Sequence, residues 1–319
     1  PYPWRTIAKL FITAADSSHW VCSGGIIGSS SGHGFHVLTA GHCVYMHDHG
    51  GWVSSIEVIP GLDQTYMPFY HAWAKKIRTY TGWTQYQMVE HDWAVLTLDR
   101  NVGDYTGWMG RMTAPWWDPV YTGSLNTAGY PIDRCSGLCM YFDSGNGRSA
   151  DEYNHWYYLY AAGGQSGSMV WVYYSNGDRY ILSILTHIYV VNGNVEYSGG
   201  TRLNQDKYDT ISVWTSSDTP PTDYADLIDD GEEYSGFSPT AVTPRMSDFT
   251  VWSRVRDIGT APSGGFRVSY YASTDTKITS SDYLIGNVYV SSISPFSIVD
   301  TSWSSKFPSS IPPGTYWVG

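Results

Sequence analysis

Short runs of β-branched and aromatic residues recur along the whole chain between Gly, Asn and Asp turn signals, and no apolar pattern of period 3.6 lasts beyond two or three turns. This alternation constrains the fold most, because a segment patterned with period two cannot bury one face as a helix. Two hairpins are explicit: Trp171 to Tyr174 and Tyr180 to Leu185 flank Asn176-Gly177, and Tyr189 to Val191 and Val195 to Tyr197 flank Asn192-Gly193. With 15 Trp, 27 Tyr and 9 Phe, the composition also favours pleated, half-buried surfaces, so an all-β protein is expected.

Length and charge then remove classes of function. At 319 residues the chain is large enough for two or three domains, and 15% charged residues with 42% hydrophobic argue against disorder. A formal charge of -11 repels polyanions, so no nucleic-acid partner is expected. The longest apolar stretch, Tyr180 to Val191, is broken by Ser183, Thr186 and His187 and falls short of the roughly 20 residues of a membrane helix. The sequence opens at Pro1 without a charged and apolar leader, so any targeting segment is expected to lie outside it. The four Cys pair most simply as Cys22 with Cys43 and Cys135 with Cys139; neither pair is a CxxC. Only His47 and His49 near Cys43 approach a zinc spacing, in a run that reads as a loop, so no metal is expected. Two disulfides imply an exported, extracellular protein, expected to be a monomer.

The chain reads in stretches. Gly110 to Pro119, with Pro115 and Trp116-Trp117, breaks the strand pattern and marks a junction near 110–120 inside a first domain, 1–215. Thr215 to Thr222 is Ser, Thr, Pro and Asp, and 216–222 is read as a linker before a second domain, 223–319. Asp223 to Glu233 carries six acids and no base. It is read as a solvated stretch, with structural calcium the alternative because oxygen ligands cluster there in a spacing unlike the known calcium loop.

Three segments carry chemistry. Val37-Leu38-Thr39-Ala40-Gly41-His42-Cys43 ends an apolar strand on a His. Glu90-His91-Asp92-Trp93-Ala94-Val95 places an acid at the start of a buried strand, where it needs a partner. Ala161-Ala162-Gly163-Gly164-Gln165-Ser166-Gly167-Ser168 sets one Ser among glycines, which lets backbone amides approach a substrate carbonyl. Together they fit nucleophile, base and orienter, in the order His, Asp, Ser.

These three motifs resemble the marks of the trypsin-like (chymotrypsin-fold) serine proteases, namely TAGHC, a D-x-A strand and G-[DNQ]-S-G-[GS], and the spacing is similar to the bacterial glutamyl endopeptidase branch. The resemblance implies two six-stranded Greek-key barrels, no cofactor, and hydrolysis of protein or peptide substrates through an acyl-enzyme. It also implies His42 as base, Asp92 as its orienter, Ser166 as nucleophile, and the amides of Gly164 and Ser166 as oxyanion donors. Cys22–Cys43 would match the family disulfide bracing the His. Glu90 and Asp99 are rival acids; Glu90 lies outside the matching register and Asp99 at the far end of the strand. Gln165 stands where animal members carry an Asp that pairs with a processed N-terminal amine, so activity is expected not to depend on that ion pair.

For the pocket that receives P1, the residue before the scissile bond, the resemblance implies Tyr160 at the base where Arg/Lys-specific members have Asp, and Ala161 where the Glu-specific branch has a hydroxyl. One alignment, through Thr186-His187, makes His187 the reader of an acidic P1; another makes Leu185 the pocket residue and moves His187 outward. Acidic and neutral or aromatic P1 both stay open, with His187 alternatively a strand histidine satisfied by backbone.

The C-terminal stretch resembles CARDB-like immunoglobulin-type modules, through Asp257-Ile258-Gly259-Thr260-Ala261-Pro262-Ser263-Gly264-Gly265-Phe266. It is expected to be a β-sandwich, lacking its last strand because Gly319 falls within a strand, and available for surface or substrate contact. Two other functions fit parts of the sequence. An inactive protease-fold protein could bind through exposed aromatics, but would not need His42, Asp92 and Ser166 together. An esterase on another fold would want G-x-S-x-G and the order Ser, acid, His.

Overall fold

A computed structural model describes residues 1–29 and 32–319, with the side chains of 194 and 232 left aside. The chain divides into two compact units, Pro1–Thr222 and Asp223–Gly319. The first consists of two closed six-stranded barrels. In the first barrel β1 (Ile7–Thr13), β2 (His19–Ile27), β3 (His36–Thr39), β4 (Ser55–Pro60), β5 (Ala72–Thr79) and β6 (Ala94–Leu98) close in the order β1-β2-β3-β6-β5-β4. In the second, β7 (Ser124–Gly129), β8 (Tyr141–Ala150), β9 (Asn154–Tyr157), β10 (Met169–Tyr173), β11 (Arg179–Val191) and β12 (Asn194–Arg202) close in the order β10-β7-β8-β9-β12-β11, with β10 paired to β11.

The strands that carry the motifs are the ones buried on both faces. Along β3, Val37 points into the first barrel with Leu10, Val58 and Leu96, whereas Leu38 joins Val95, Trp93, Met169 and Ile184 in a core between the barrels. That double burial explains why the sequence here is a continuous apolar run rather than an alternation. Tyr121, Leu125, Tyr157, Leu159 and Leu185 fill the second barrel.

After β12, α1 (Gln205–Ser216) starts on Asn204, whose side chain accepts the amide of Lys207. It buries Lys207, Ile211 and Thr215, and because two of these three are not hydrophobic its helical period was invisible in the sequence. The segment read as a linker is held on the first barrel: Asp218 accepts hydrogen bonds from Arg78, Lys76 (3.0 Å), Thr97 (2.6 Å) and His36 (3.0 Å), and Asn101 Nδ2 donates to Pro221 O. No helix is long and apolar enough to cross a membrane.

In the second unit, β13 (Leu227–Asp229) and β14 (Gly236–Ser238) pair in tandem with one edge of β15 (Asp248–Asp257), and β18 (Ile298–Lys306) pairs with the other. A second sheet has β16 (Phe266–Ser273) between β17 (Tyr283–Val290) and β19 (Trp317–Val318). Phe249, Val251, Tyr270, Ala272 and Ile285 fill the core, an arrangement consistent with a β-sandwich. The acidic stretch is part of this unit rather than a solvated tether: residues 227–229 form β13, and Asp230 makes a two-pronged ion pair with Arg256. No cluster of metal-ligating side chains occurs there among the described residues.

Candidate active site

The apolar strand β3 ends in a single 3-10 turn, Gly41–Cys43, that delivers His42 at the junction of the two barrels. Gly41 packs closely there: a Cβ would lie 3.0 Å from Trp93 N and 3.1 Å from the ring of Trp83, so either neighbour would have to give by a few tenths of an ångström. Cys43, next in sequence, is bonded to Cys22 on β2, which ties the turn to its neighbouring strand; Cys135 and Cys139 form the second disulfide.

Asp92, 5% exposed at the entry to β6, grips His42 at two points. Its Oδ1 accepts the His42 amide at 2.8 Å and its Oδ2 accepts Nδ1–H at 2.8 Å. With the proton held on Nδ1, Nε2 is left as the basic nitrogen. Burial opposes a charged imidazole, but the charge of Asp92 and its hydrogen bond outweigh that cost, and the pKa of His42 is raised. The Thr201 hydroxyl donates to Asp92 O at 3.1 Å, fastening the acid's main chain to the second barrel. Neither rival acid meets His42: Asp99 accepts the amide of Trp73 at 2.8 Å, and no hydrogen bond joins Glu90 to His42 among the described residues.

Ser166 comes from the second barrel, and its main chain is docked on the first. Ser23 N donates to Ser166 O at 2.8 Å, and Cys43 Sγ lies 3.7 Å from the same oxygen. Ser23 Oγ donates to Gly164 O at 2.8 Å and accepts Tyr130 N at 2.9 Å. Gly167 has φ +86°, and a Cβ there would sit 2.1 Å from Thr39 Oγ1 and 2.2 Å from Ser23 O. The loop can therefore pass between the barrels only as glycine. The Ser166 hydroxyl makes no hydrogen bond to His42 among the described residues.

The amides of Gln165 and Gly167 are used internally, by Ala162 O and Leu185 O, whereas those of Gly164 and Ser166 have no protein acceptor among the described residues. Gly164 adopts φ +89°, and Tyr130 O would lie 2.4 Å from a Cβ. Gln165 is fully buried and its Oε1 accepts Ala162 N at 2.9 Å, so the side chain braces its own loop. A serine beside two unengaged amides and an imidazole held in one tautomer can carry out acyl transfer.

The expected pocket residues separate. Ala161 and Leu185 join the second barrel's core with Tyr157. Leu185 is also tied to the serine loop, its carbonyl accepting Gly167 N at 2.8 Å and its amide donating to Ser168 O at 2.9 Å. Tyr160 turns to Asp133, which accepts its hydroxyl, with Arg134 over its ring and Tyr141 alongside. His187 lies two residues beyond Leu185, its Nδ1 against Thr186 Oγ1 at 2.8 Å and its Nε2 buried without a partner. Burial is the main cause of its lowered pKa; it also feels Asp92 and, in the opposite sense, His42. His155, fully buried in the second barrel, is satisfied by Ser183 and Tyr121 O. Sequence reasoning missed Ser23 and Thr201, whose hydroxyls lock the two halves, and Trp83, whose ring lies 6.2 Å from that of His42. Ser23 and Trp83 sit in no motif, and Thr201 falls in Gly200-Thr201-Arg202, a stretch that aligns with the glutamyl endopeptidase branch without marking its hydroxyl.

Comparison with known proteins agrees with the fold. Residues 1–127 match the family model described as Trypsin. The chain is 32% identical over 216 residues to a protein of Bacillus subtilis named extracellular metalloprotease, covering 67% of this chain and 65% of that protein. It is 27% identical over 218 residues to a glutamyl endopeptidase of Bacillus licheniformis, covering 68% and 65%. It thus spans about two thirds, 65%, of the length of each of these curated relatives. Among solved structures, a thermostable serine protease from an extremophilic microorganism superposes with a TM-score of 0.58 at 19% identity, over 68% of this chain and 100% of that one. That likeness concerns the fold, which is chymotrypsin-like.

Proposed function

We propose that this chain, whose N-terminal unit is a trypsin-like serine protease domain, is a secreted serine endopeptidase. The observation that carries the reading is the two-point grip of Asp92 on His42, which leaves Nε2 basic and aimed away from the carboxylate. In the first step His42 Nε2 takes the proton of Ser166 as its oxygen attacks the scissile carbonyl. The amides of Gly164 and Ser166 receive the negative oxygen, and Asp92 stabilises the imidazolium. His42 then returns the proton to the leaving amine, and water attacks the acyl-enzyme by the same route.

Among the described residues the acids that meet Tyr160 are Asp133, at its hydroxyl, and Asp143, at its amide, and neither is buried, so P1 is proposed to be not Arg or Lys but either acidic or neutral/aromatic. A neutral P1 is favoured by Leu185, which carries the hydrogen bonds to the serine loop, while His187 lies farther along the strand. The name of the B. subtilis relative invites a metal mechanism, but the residues here do not fit one. Among the described residues the group of three possible metal donors is Cys22, His42 and Cys43, and as a disulfide neither cysteine offers a thiolate, while the Asp92 carboxylate is taken up by His42 Nδ1. For the C-terminal unit a CARDB-like immunoglobulin-type role in surface or substrate contact is proposed.

A phosphonofluoridate is expected to label the protein at Ser166 and not the Ser166→Ala variant. No labelling of folded wild type would favour an inactive, aromatic-rich binding protein. Cleavage of a peptide library assigns P1: sites confined to Glu and Asp favour His187 as reader, and sites after Leu, Phe or Tyr favour Leu185.

A further inference from the structure

In the C-terminal unit, the sheet built on β15 has one face in the core and one outside it. Phe249 and Val251 point inward, and their neighbours Thr250, Trp252 and Arg254 point outward beside Ser304, Ser302 and Asp300, their partners on β18. Both edges of β15 are paired, by β18 on one side and by β13 and β14 on the other. This face therefore offers side chains rather than an open ladder, and β15 cannot take an added strand.

Trp252 is the large ring of this face, 39% exposed between small neighbours: Gly236 stands opposite it on β14 and Ser302 opposite it on β18. A Cβ on Gly236 would lie 2.7 Å from Trp252 Cζ2 and 3.1 Å from Cε2, so the missing side chain lets the indole lie across the neighbouring strand. Beside it, the 3-10 turn Glu232–Tyr234 brings up a second aromatic, Tyr234, also 39% exposed, with the Arg254 guanidinium 4.1 Å from its ring centre. Trp252 and Tyr234 border a hollow of about 410 Å³ whose charged and hydroxyl groups include Glu233, Arg254, Asp300 and Ser302. That size falls within the range of small-molecule sites, about 300–1,000 Å³.

In the hollow, Arg254 donates from Nε and Nη2 to the two carboxylate oxygens of Asp300, at 2.6 and 3.0 Å. The pair is a flat, doubly hydrogen-bonded unit whose charges cancel. Arg254 Nη1 has no acceptor among the described residues, and the Asp300 side chain is 69% exposed, so a donor and an acceptor remain side by side for a ligand. Adjacent hydroxyls of a sugar ring match that arrangement, one accepting from Arg254 and one donating to Asp300, while the ring's C–H face lies against an aromatic. An apolar peptide side chain has no comparable fit, because Gly236 and Ser302 beside Trp252 build no apolar pocket. A polyanion is opposed by Glu233 and by the formal charge of -11.

We infer that this face binds a neutral glycan, with Trp252 as the platform for a pyranose ring and the Arg254–Asp300 pair as the reader of its hydroxyls. The inference rests on the surface or substrate contact proposed above for the C-terminal unit and names its ligand class; the endopeptidase reading does not depend on it.

The test is calorimetric titration of the full chain, carrying Ser166→Ala so that no peptide is consumed. The probes are the neutral hexasaccharides cellohexaose, maltohexaose, chitohexaose, xylohexaose and mannohexaose, with heparin as the polyanion and a Phe-rich peptide as the apolar alternative. At least one neutral hexasaccharide is expected to bind with a Kd of about 1 mM or tighter, and heparin and the peptide at least about tenfold more weakly. Trp252→Ala, and independently Asp300→Ala, are each expected to weaken that glycan about tenfold or more while keeping the parent Tm, since both side chains are substantially exposed. A glycan bound equally by both folded variants, or binding of heparin or the peptide alone, overturns this site and leaves the contact role standing. Binding of none of the probes overturns the site and removes the support it lends to that role.

Discussion

Two buried histidines should make the N-terminal unit sensitive to mild acid. His36 and His155 are fully buried, and burial is the principal reason that each pKa falls from 6.5 to about 4. His36 donates from Nε2 to Asp218, but that carboxylate is already met by Arg78 and Lys76, and Nδ1 lies in the core without a partner. His155 donates Nε2–H to Tyr121 O and accepts the Ser183 hydroxyl at Nδ1, so its neutral form already satisfies both nitrogens. Because the folded pKa lies below the unfolded value, the unfolded chain binds more protons between about pH 4 and 6.5. Stability is therefore complete above that window and is lost as pH falls through it. At pH 5 the loss is about 2 kcal/mol for each histidine, out of a total stability of roughly 5–15 kcal/mol for a domain. His42, whose pKa is raised, works in the opposite sense and reduces the sum. Denaturant unfolding followed by Trp fluorescence at pH 7.5 and pH 5 measures the net change. In His36→Asn the pH-dependent part is expected to shrink by about 2 kcal/mol, whatever the variant costs at pH 7.5. A pH difference equal to that of wild type, or an NMR titration showing either imidazole protonated at pH 5.5, would refute the reasoning.

Asp218→Ala removes the acceptor shared by Arg78, Lys76, Thr97 and His36 and is expected to cost about 3 kcal/mol, seen as a lower denaturation midpoint; a change under about 0.5 kcal/mol would show that the cluster does not hold the segment down. Asp92→Asn should lower kcat by about 10⁴-fold with little change in KM, because the amide no longer fixes the imidazole tautomer; a loss under tenfold would remove Asp92 from the orienting role. Gly167→Ala places a Cβ 2.1 Å from Thr39 Oγ1 at φ +86° and is expected to abolish serine labelling and lower Tm, whereas normal labelling would show that the loop can shift.

The all-β class was legible because the turn chemistry is explicit: Asn176-Gly177 and Asn192-Gly193 fall in the hairpins joining β10 to β11 and β11 to β12. His42 and Asp92 were legible as a pair because a carboxylate at the head of the buried strand β6 demands a counterpart, and the structure brings them within 2.8 Å. What escaped the sequence has a common physical character. α1 hides its period behind buried Lys207 and Thr215, and Asp218 sits in a Ser, Thr and Pro stretch that reads as solvated. Lys207 reaches Tyr153 O, Thr215 turns its hydroxyl to Ile211 O within the helix, and Asp218 is met by Arg78 and His36 more than a hundred positions away; an apolar period reports none of these polar partners. The pocket was ambiguous because two alignments differ by two positions on one strand. In an unbroken strand such a shift keeps side chains on the same face, so periodicity cannot choose between Leu185 and His187; in the structure a bulge separates them, with Leu185 in the barrel core and His187 beside Trp156 over Gly199.

The placement of Ser23 says how the halves of the site stay in register. The imidazole and its acid belong to the first barrel, the serine and the free amides to the second, and a slip of one ångström between them is enough to lose alignment. Ser23 is buried in β2, one residue after the disulfide cysteine Cys22, and it meets the second barrel three times: its amide on Ser166 O, its hydroxyl on Gly164 O, and Tyr130 N on that hydroxyl. Gly129 and Gly167 leave the room this docking needs: a Cβ on Gly129 would lie 2.8 Å from Ser23 Oγ and one on Gly167 2.2 Å from Ser23 O. The Cys22–Cys43 bridge extends that restraint to His42, one residue from Cys43, so a side chain outside every motif helps to set the relation between the proposed base and the proposed nucleophile.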